Sequence, residues 1–322
     1  MRDAVPGCHV LGIGELLWDL LPSGLRLGGA PFNVVAHLRR LGHDTSYVTT
    51  VGNDELGRRA ISEVHELEVD GSLIRVVSSV PTGTASVELD TDGRPTWQIN
   101  SPAAYELTEI SSYGLTHIAR AAPCAIVFGT GTQRFPSVRH ATVTVLNANP
   151  TALRVYDVNL RGGGWTTPLV EELTASANVL KMNEEELQVL GRVLGLPIAT
   201  PEAFARAAAE RFDLTTVCVT RGSRGAVMWT PHAYMVDEGF KVTVSDTIGA
   251  GDAVTAGLIH GLLTGSPGGE TLELANALGA LVSSRPGAIP AWTPRELTGL
   301  IRRRRRLRMC TAGSLASAEI RP

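Results

Sequence analysis

Short apolar runs alternate with longer amphipathic stretches along most of this chain. Residues 8–14 (CHVLGIG), 124–129 (CAIVFG), 154–159 (RVYDVN), 178–183 (NVLKMN) and 215–220 (TTVCVT) are runs of strand length, apolar at almost every central position. A strand with no polar face has to be covered on both sides, which is the condition of strands in parallel sheets. Between these runs, apolar residues recur with helical spacing over 33–41, 55–67, 137–148, 168–176, 184–194, 201–211, 270–284 and 294–308. Residues 46–51 add another strand, and edge strands are expected around 226–244. The regular exchange of strand and helix predicts an α/β fold, with a mostly parallel central sheet covered by helices on both faces.

One segment breaks this alternation. Residues 84–90 (TASVELD) and 95–100 (PTWQIN) have period-two patterning, with Val87 and Leu89 set against Trp97 and Ile99. Thr91, Asp92, Gly93 and Arg94 supply a turn, so a β-hairpin is expected. A hairpin inserted into an α/β chain belongs to a small sheet of its own.

Composition narrows the class. The chain has 322 residues, of which 43% are hydrophobic, enough to bury a large core. Its formal charge of −3 gives no reason to expect nucleic acid as a partner. The exception is local: Arg302, Arg303, Arg304, Arg305, Arg306 and Arg308 lie close together near the end. Such a run usually forms a solvated face. It lies downstream of every motif described below, so its removal is expected to leave catalysis intact. Cys8, Cys124, Cys218 and Cys310 are widely spaced without CxxC, which suggests neither a disulfide framework nor a zinc site. No apolar run approaches the roughly 20 residues of a membrane span. The first residues lack the basic and apolar regions of a signal peptide. A cytoplasmic protein with no membrane partner is expected.

Two nucleotide signatures are excluded. Gly12 and Gly14 open a dinucleotide fingerprint, but the third glycine is missing and Glu15 follows at once. No GxxxxGK[ST] occurs, and the only lysines are Lys181 and Lys241, so a Walker-type ATPase is ruled out. The most informative segment is instead DTIGAGD at 246–252, which opens the run AVTAGLIHGLL. Small residues at a helix start let the amides of Gly249, Ala250 and Gly251 turn towards an anion, assisted by the helix dipole. Asp252 then falls in the first turn, placed to accept a proton from a hydroxyl as that hydroxyl attacks phosphorus. An aspartate that merely caps a closely packed helix is the plainer alternative. Ala253, Ala256, Gly257 and Gly261 allow such close packing. Polar residues also gather where strands end: Asp157 and Asn159, Asn183, and Thr220 with Arg221 and Gly222. Each alone reads more readily as a helix cap or a loop polar group, but ligands in open α/β sheets sit beyond the carboxyl ends of strands, and the clustering favours a shared cleft.

Several segments, in order and spanning roughly residues 8–291, resemble the ribokinase-like carbohydrate kinases, the pfkB family. They are LGGAPFN (27–33), VGNDELG (51–57), YDVNLR (156–161), the NxxE at 183–186 and DTIGAGD (246–252). The GGAPxN and DVNLR forms are similar to those of fructokinases. The resemblance implies a ribokinase-like three-layer sandwich, with a small β-sheet lid built from about 16–28 and 70–105. It implies one kinase domain over 1–310, a basic tail over 302–322, and a homodimer formed through the lid. It implies ATP-dependent phosphorylation of a sugar primary hydroxyl, D-fructose to fructose 6-phosphate, with Asp252 as base and the Gly249, Ala250 and Gly251 amides as anion hole.

By the same resemblance Asp19, Gly28, Gly29 and Asn33 would hold the sugar, with Arg161 near the phosphoryl end. Asn183, Thr220, Gly222, Ser223, Gly225, Gly251 and Asn276 would bind ATP. Glu186, with Asn183, would act through water on Mg²⁺. Asp246, Ile248, Val282, Arg285 and Gly287 match positions that ligate a monovalent cation such as K⁺. Other acceptors (2-keto-3-deoxygluconate, ribose) and a catalytically silent sugar-binding relative are the alternatives. Phe32 after GGAP, Ala104-Tyr105-Glu106 in place of AWD, and Val158 in place of proline depart from the pattern. These departures bear on the sugar; Phe32 in particular is expected to narrow the pocket beside Asn33.

Overall fold

The computed structural model describes residues 8–21, 24–89, 95–160 and 164–318. The chain runs β1 (His9–Ile13), β2 (Leu17–Leu21), β3 (Gly24–Gly28), α1 (Ala30–Arg40), β4 (Asp44–Gly52), α2 (Glu55–Glu66) and β5 (Ile74–Val77). The hairpin strands β6 (Gly83–Leu89) and β7 (Pro95–Ile99) follow, then α3 (Ser112–Ala121), β8 (Ala125–Gly129), α4 (Pro136–Ala148), β9 (Leu153–Asp157) and α5 (Thr167–Ser176). Next come β10 (Val179–Asn183), α6 (Glu184–Leu194), α7 (Pro201–Phe212), β11 (Thr216–Thr220), β12 (Ala226–Thr230) and β13 (Ala233–Asp237). Three helices close the chain: α8 (Ala250–Leu263), α9 (Gly268–Ser283) and α10 (Pro294–Ala318). Among the described residues, no helix is long and apolar enough to cross a membrane.

Nine strands form one sheet in the order β13-β12-β11-β10-β9-β8-β1-β4-β5. Pairing is parallel from β5 to β11, and only the β12–β13 edge turns antiparallel. The apolar runs split between two faces as their lack of polar alternation requires. Val10 and Val127 join a core with Phe32 and Val35 of α1, Ala256 of α8 and Leu278 of α9. Their neighbours Leu11, Ile126 and Phe128 face Leu169 of α5, Leu190 of α6 and Phe204 of α7. Helices cover both sides, and the sandwich is three layers deep.

A second sheet of four strands, β3-β2-β6-β7, stands apart. The hairpin arms pair with Val87 opposite Trp97 and Ala85 opposite Ile99. Its expected Asp-Gly turn lies outside the described residues. One strand drawn from the 70–105 region goes elsewhere: β5 pairs with β4 and becomes the edge of the large sheet. Helix α1 begins three residues earlier than the apolar pattern suggests, because Pro31 fits the first turn, where its missing N–H costs nothing. The last helix also outruns its apolar pattern and carries the whole arginine run on regular helix.

α8 and α9 pack with little room between them. A Cβ on Gly257 would lie 2.6 Å from Ala275 Cα, a contact with backbone that no side-chain motion relieves. Overpacking of a close-packed core costs about 1–3 kcal/mol. Gly257→Val is therefore expected to lower the unfolding free energy by about 2–3 kcal/mol, read as a lower urea midpoint at unchanged slope.

Candidate active site

Parallel strands deliver their last residues to one edge of the sheet, and Gly129, Asp157, Asn183 and Thr220 are the last residues of β8 to β11 in turn. The start of α8 points at the same edge. Gly249 holds a left-handed conformation, φ 72°, just before the helix. A Cβ there would lie 2.6 Å from Ala288 Cα, so position 249 excludes any side chain on both counts.

Asp252 lies in the first turn of α8 and accepts a 2.7 Å hydrogen bond from Asn33 Nδ2 of α1. The two residues are 219 apart in sequence. Asn33 is buried, and its Oδ1 has no hydrogen-bond partner. Gly28, the last residue of β3, lies between this oxygen and Asp19: a Cβ on it would be 3.2 Å from Asp19 Oδ2 and 4.0 Å from Asn33 Oδ1. Asp19 of β2, Gly28 of β3, Asn33 of α1 and Asp252 of α8 thus converge from four elements. Gly29, at φ 134°, turns the chain from the small sheet into α1, with its Cα face against the Glu15 carbonyl.

Behind the start of α8 lies a buried ion pair. Lys181 Nζ donates to both oxygens of Asp157 at 3.0 Å, and Thr255 Oγ1 donates to Asp157 Oδ2 at 2.6 Å. A Cβ on Gly251 would lie 3.2 Å from that ammonium. Burial works against the charge on Lys181, but Asp157, Glu186 and Asp252 together hold its pKa above the usual lysine range. A permanent cation therefore stands within reach of the helix start, reinforcing its positive end.

Asn183 and Glu186 form a reciprocal cap on α6. Asn183 Oδ1 accepts from the Glu186 amide and Glu186 Oε2 from the Asn183 amide, each at 2.8 Å. Glu186 Oε1 accepts from the Leu160 amide at 2.9 Å. Burial raises the Glu186 pKa; the Lys181 charge opposes the shift without cancelling it. Among the described residues, no group of three or more His, Cys, Asp and Glu side chains is gathered as direct ligands for a metal.

On the far side, Gly222 and Gly225 take left-handed conformations, φ 58° and 78°, around the exposed Ser223. Thr220 Oγ1 donates to Met182 O at 3.3 Å, tying the loop to β10. Asn276 of α9 is buried, and its Nδ2 donates to Asp237 Oδ1 at 2.8 Å. Asp246 joins two further segments: Oδ1 accepts from the Ile248 amide at 2.9 Å and Oδ2 from the Gly287 amide at 3.0 Å. Val282 is buried near the end of α9, and the Arg285 guanidinium pairs with Glu296. Arg161 lies outside the described residues.

The departures from the kinase pattern resolve into packing. Phe32 does not narrow the cleft; it points into the core, edge-on to Tyr47 with ring centroids 5.3 Å apart, because it lies a helical step of about 100° from Asn33. Tyr105 fills a small cluster with Leu17, Ala85 and Ala103 where the small sheet meets the body. Val158 is fully buried.

Three residues at this site were missed at the level of sequence. Lys181 carried a signal: a lysine inside an apolar strand has to find a partner or leave the core. Glu15 caps α1, its Oε1 accepting from the Ala30 amide at 2.9 Å. His37, fully buried on α1, donates from Nε2 to Ala288 O at 3.0 Å and accepts at Nδ1 from Trp292 Nε1 at 3.1 Å. It thereby grips the segment that packs on Gly249.

A large, mostly parallel sheet covered by helices, with a separate small sheet beside it, is the architecture of the ribokinase-like kinases. The chain belongs to the pfkB family of carbohydrate kinases, whose model matches residues 24–295, and it is a carbohydrate kinase. It is 30% identical over 304 residues to a fructokinase of Klebsiella pneumoniae, covering 87% of this chain and 94% of that one. It is 29% identical over 308 residues to an ATP-dependent ribose-1-phosphate kinase of Halopiger xanaduensis, covering 88% and 95%. The crystal structure of a fructokinase from Vibrio cholerae O395, in a form with fructose, ADP and calcium ion bound, superposes with a TM-score of 0.76. That match has 25% identity and covers 91% of this chain and 99% of that one.

His37 generates a pH prediction. Burial lowers its pKa from 6.5 to about 4, against the weaker opposing pull of the Ala288 carbonyl. Because the folded value lies below the unfolded one, the neutral imidazole's contribution is complete above about pH 6.5 and is lost as pH falls through about 4. The stability of the wild type relative to His37→Gln is expected to shrink by about 3 kcal/mol between pH 7 and pH 4, measured by urea unfolding at each pH.

Proposed function

We propose that the chain transfers the terminal phosphoryl group of ATP to a primary hydroxyl of a ketohexose, converting D-fructose to fructose 6-phosphate. The observation that carries this reading is the contact of Asn33 with Asp252 beside the start of α8, together with the unpaired Asn33 Oδ1. A buried amide oxygen without a partner costs about 1–3 kcal/mol, and a sugar hydroxyl donating to it would recover that. Asp19 supplies acceptor oxygens from the opposite wall, which suits adjacent hydroxyls of a polyol.

In this reading Asp252 takes the proton of the attacking hydroxyl, and Asn33 orients its carboxylate. The amides of Gly249, Ala250 and Gly251 stabilise charge on the transferring group, with the Lys181 ammonium behind them. By the family resemblance, Arg161 would serve the same phosphoryl group. Asn183, Thr220, Gly222, Ser223, Gly225, Gly251 and Asn276 hold the nucleotide. Both Glu186 oxygens already accept backbone amides, which fits a Mg²⁺ held by Glu186 and Asn183 through water. Bound Mg²⁺ neutralises phosphate oxygens. Asp246, Ile248, Val282, Arg285 and Gly287 would ligate K⁺, mostly through backbone carbonyls, with the Asp246 side chain committed to the amides of Ile248 and Gly287. Leu20 and Ile99 expose apolar surface on the small sheet, at 37% and 38%, and support a homodimer formed through it. The enzyme acts in the cytoplasm, where its ATP is held.

Steady-state turnover of fructose, ribose, ribose 1-phosphate and 2-keto-3-deoxygluconate with ATP, scored as ADP release, tests the acceptor. Fructose is expected to give the highest kcat/KM; a higher value for another acceptor replaces fructose, and no turnover with any makes the chain a silent binder. Asp252→Ala is expected to lower kcat by at least about 10²-fold while ADP affinity stays within about threefold. Asp19→Ala is expected to raise the fructose KM by about 5–150-fold with little change in the ATP KM. Equal losses for both ligands would assign Asp19 to the fold alone.

A further inference from the structure

The arginine run is the one feature of the sequence that the kinase reading leaves unused. On α10 its members separate. Arg302, Arg303 and Arg306 are exposed, and Arg308 meets Glu238 only across exposed surface. Arg304 differs: its side chain is 11% exposed. Its Nη1 donates to Asp237 Oδ1 at 2.8 Å and to Gly239 O at 2.9 Å. Its Nη2 donates to Asp237 Oδ2 and to Glu273 Oε1, both at 2.7 Å. The guanidinium also lies 3.9 Å from the centre of the Phe240 ring. Glu273 completes the set by accepting Arg305 Nε at 2.7 Å on its other oxygen. The run is therefore not uniformly solvated, and one arginine ties together the end of β13, the following turn, α9 and α10.

What this guanidinium holds is the back of the proposed nucleotide loop. Asp237 accepts from Arg304 and also from Asn276 Nδ2 at 2.8 Å and the Gly239 amide at 2.9 Å. Gly225, the last glycine of the Thr220 loop, is pressed against the same turn: a Cβ on it would lie 2.0 Å from Asp237 O and 2.4 Å from Gly239 N. Burial alone would raise the Asp237 pKa, and the bonds from Arg304, Gly239 and Asn276 hold it below the usual carboxylate range instead. A two-pronged arginine–carboxylate pair of this kind fixes direction as well as distance, unlike an exposed single contact.

We infer that Arg304 is a positioning residue for ATP: through Asp237 and Gly239 it sets the Asn276 side chain and the Gly225 end of the nucleotide loop, so the last helix tunes nucleotide affinity without touching the acceptor. This rests on the nucleotide side proposed above. On this inference the segment from residue 302 onward, whose removal is expected to leave catalysis intact, still contributes to ATP affinity.

The test uses the full chain with Arg304→Met, Arg304→Lys, Arg305→Met and Asn276→Ala. For each, the ATP and acceptor KM, kcat, and calorimetric ADP affinity are measured. Arg304→Met is expected to weaken ADP binding and raise the ATP KM by about tenfold, the size of one lost charged hydrogen bond. Its acceptor KM and kcat at saturating ATP are expected to stay within about threefold, Arg304→Lys to fall between it and wild type, and Arg305→Met to match wild type. Should Arg304→Met not fold, Asp237→Asn/Arg304→Met removes the bare carboxylate, leaves Asn276 an amide oxygen to donate to, and is held to the same outcome. A folded variant with unchanged ATP KM, or with equal rises for ATP and acceptor, overturns the inference. If Asn276→Ala weakens ADP while Arg304→Met does not, only the role of Arg304 fails. If neither weakens it, the proposed nucleotide side fails with it.

Discussion

The cleft depends on a lysine charge placed inside the sheet. Lys181 leaves water on β10, and the 3.0 Å pairing with both Asp157 oxygens on neighbouring β9 is its direct compensation. Removing either partner would leave a bare charge in low dielectric, a cost of about 3–5 kcal/mol. Thr255 adds α8 to the pair through its bond to Asp157, so the same two charges that join the strands also seat the helix whose start faces the cleft. The Lys181 ammonium is shared among Asp157, Glu186 and Asp252, three carboxylates carried by three different elements. That arrangement keeps positive potential where a transferring phosphoryl group would bring negative charge.

Helix α1 is the second support, and it serves both sides of the proposed reaction. Towards its start, Asn33 reaches Asp252. One turn later His37, and two turns later Arg40, grip the carbonyls of Ala288 and Pro290, in the segment that packs on Gly249. A shift of α1 would therefore disturb Asp252, the proposed base, and the turn at Gly249 together. The neutral state of His37 follows from its surroundings, since Trp292 donates to one ring nitrogen and the other donates to a carbonyl. A protonated ring would have to donate to an indole N–H.

Recognition on the nucleotide side is built differently. The proposed nucleotide loop is positioned by glycines that permit left-handed turns and by a charged network around Asp237, rather than by the phosphate-binding lysine of a Walker loop. The proposed acceptor side draws on the small sheet, with Asp19 and Gly28 facing Asn33 across the junction. The two halves of the cleft thus have separate mechanical supports, which is why changes on one side should read out in one ligand.

The amino-acid sequence by itself determined the alternation of elements, the two-faced burial of the strands and the start of α8. Each of these follows from interactions within a few residues: apolar periodicity, the left-handed tolerance of Gly249, the short reach from Gly249 to Asp252. The Asn183–Glu186 cap was legible for the same reason, its partners being three residues apart. What only the tertiary structure decided were contacts between distant partners. Asn33 and Asp252 are 219 residues apart, Lys181 and Asp157 are 24, and Arg304 and Asp237 are 67. A side chain's local sequence says that it is polar or that it lies in an apolar run; it does not say which charge will meet it there. The direction of Phe32 had the same origin, because a helix turns successive residues by about 100°, and whether that aims a ring at a cleft or a core depends on how the helix is laid on its sheet.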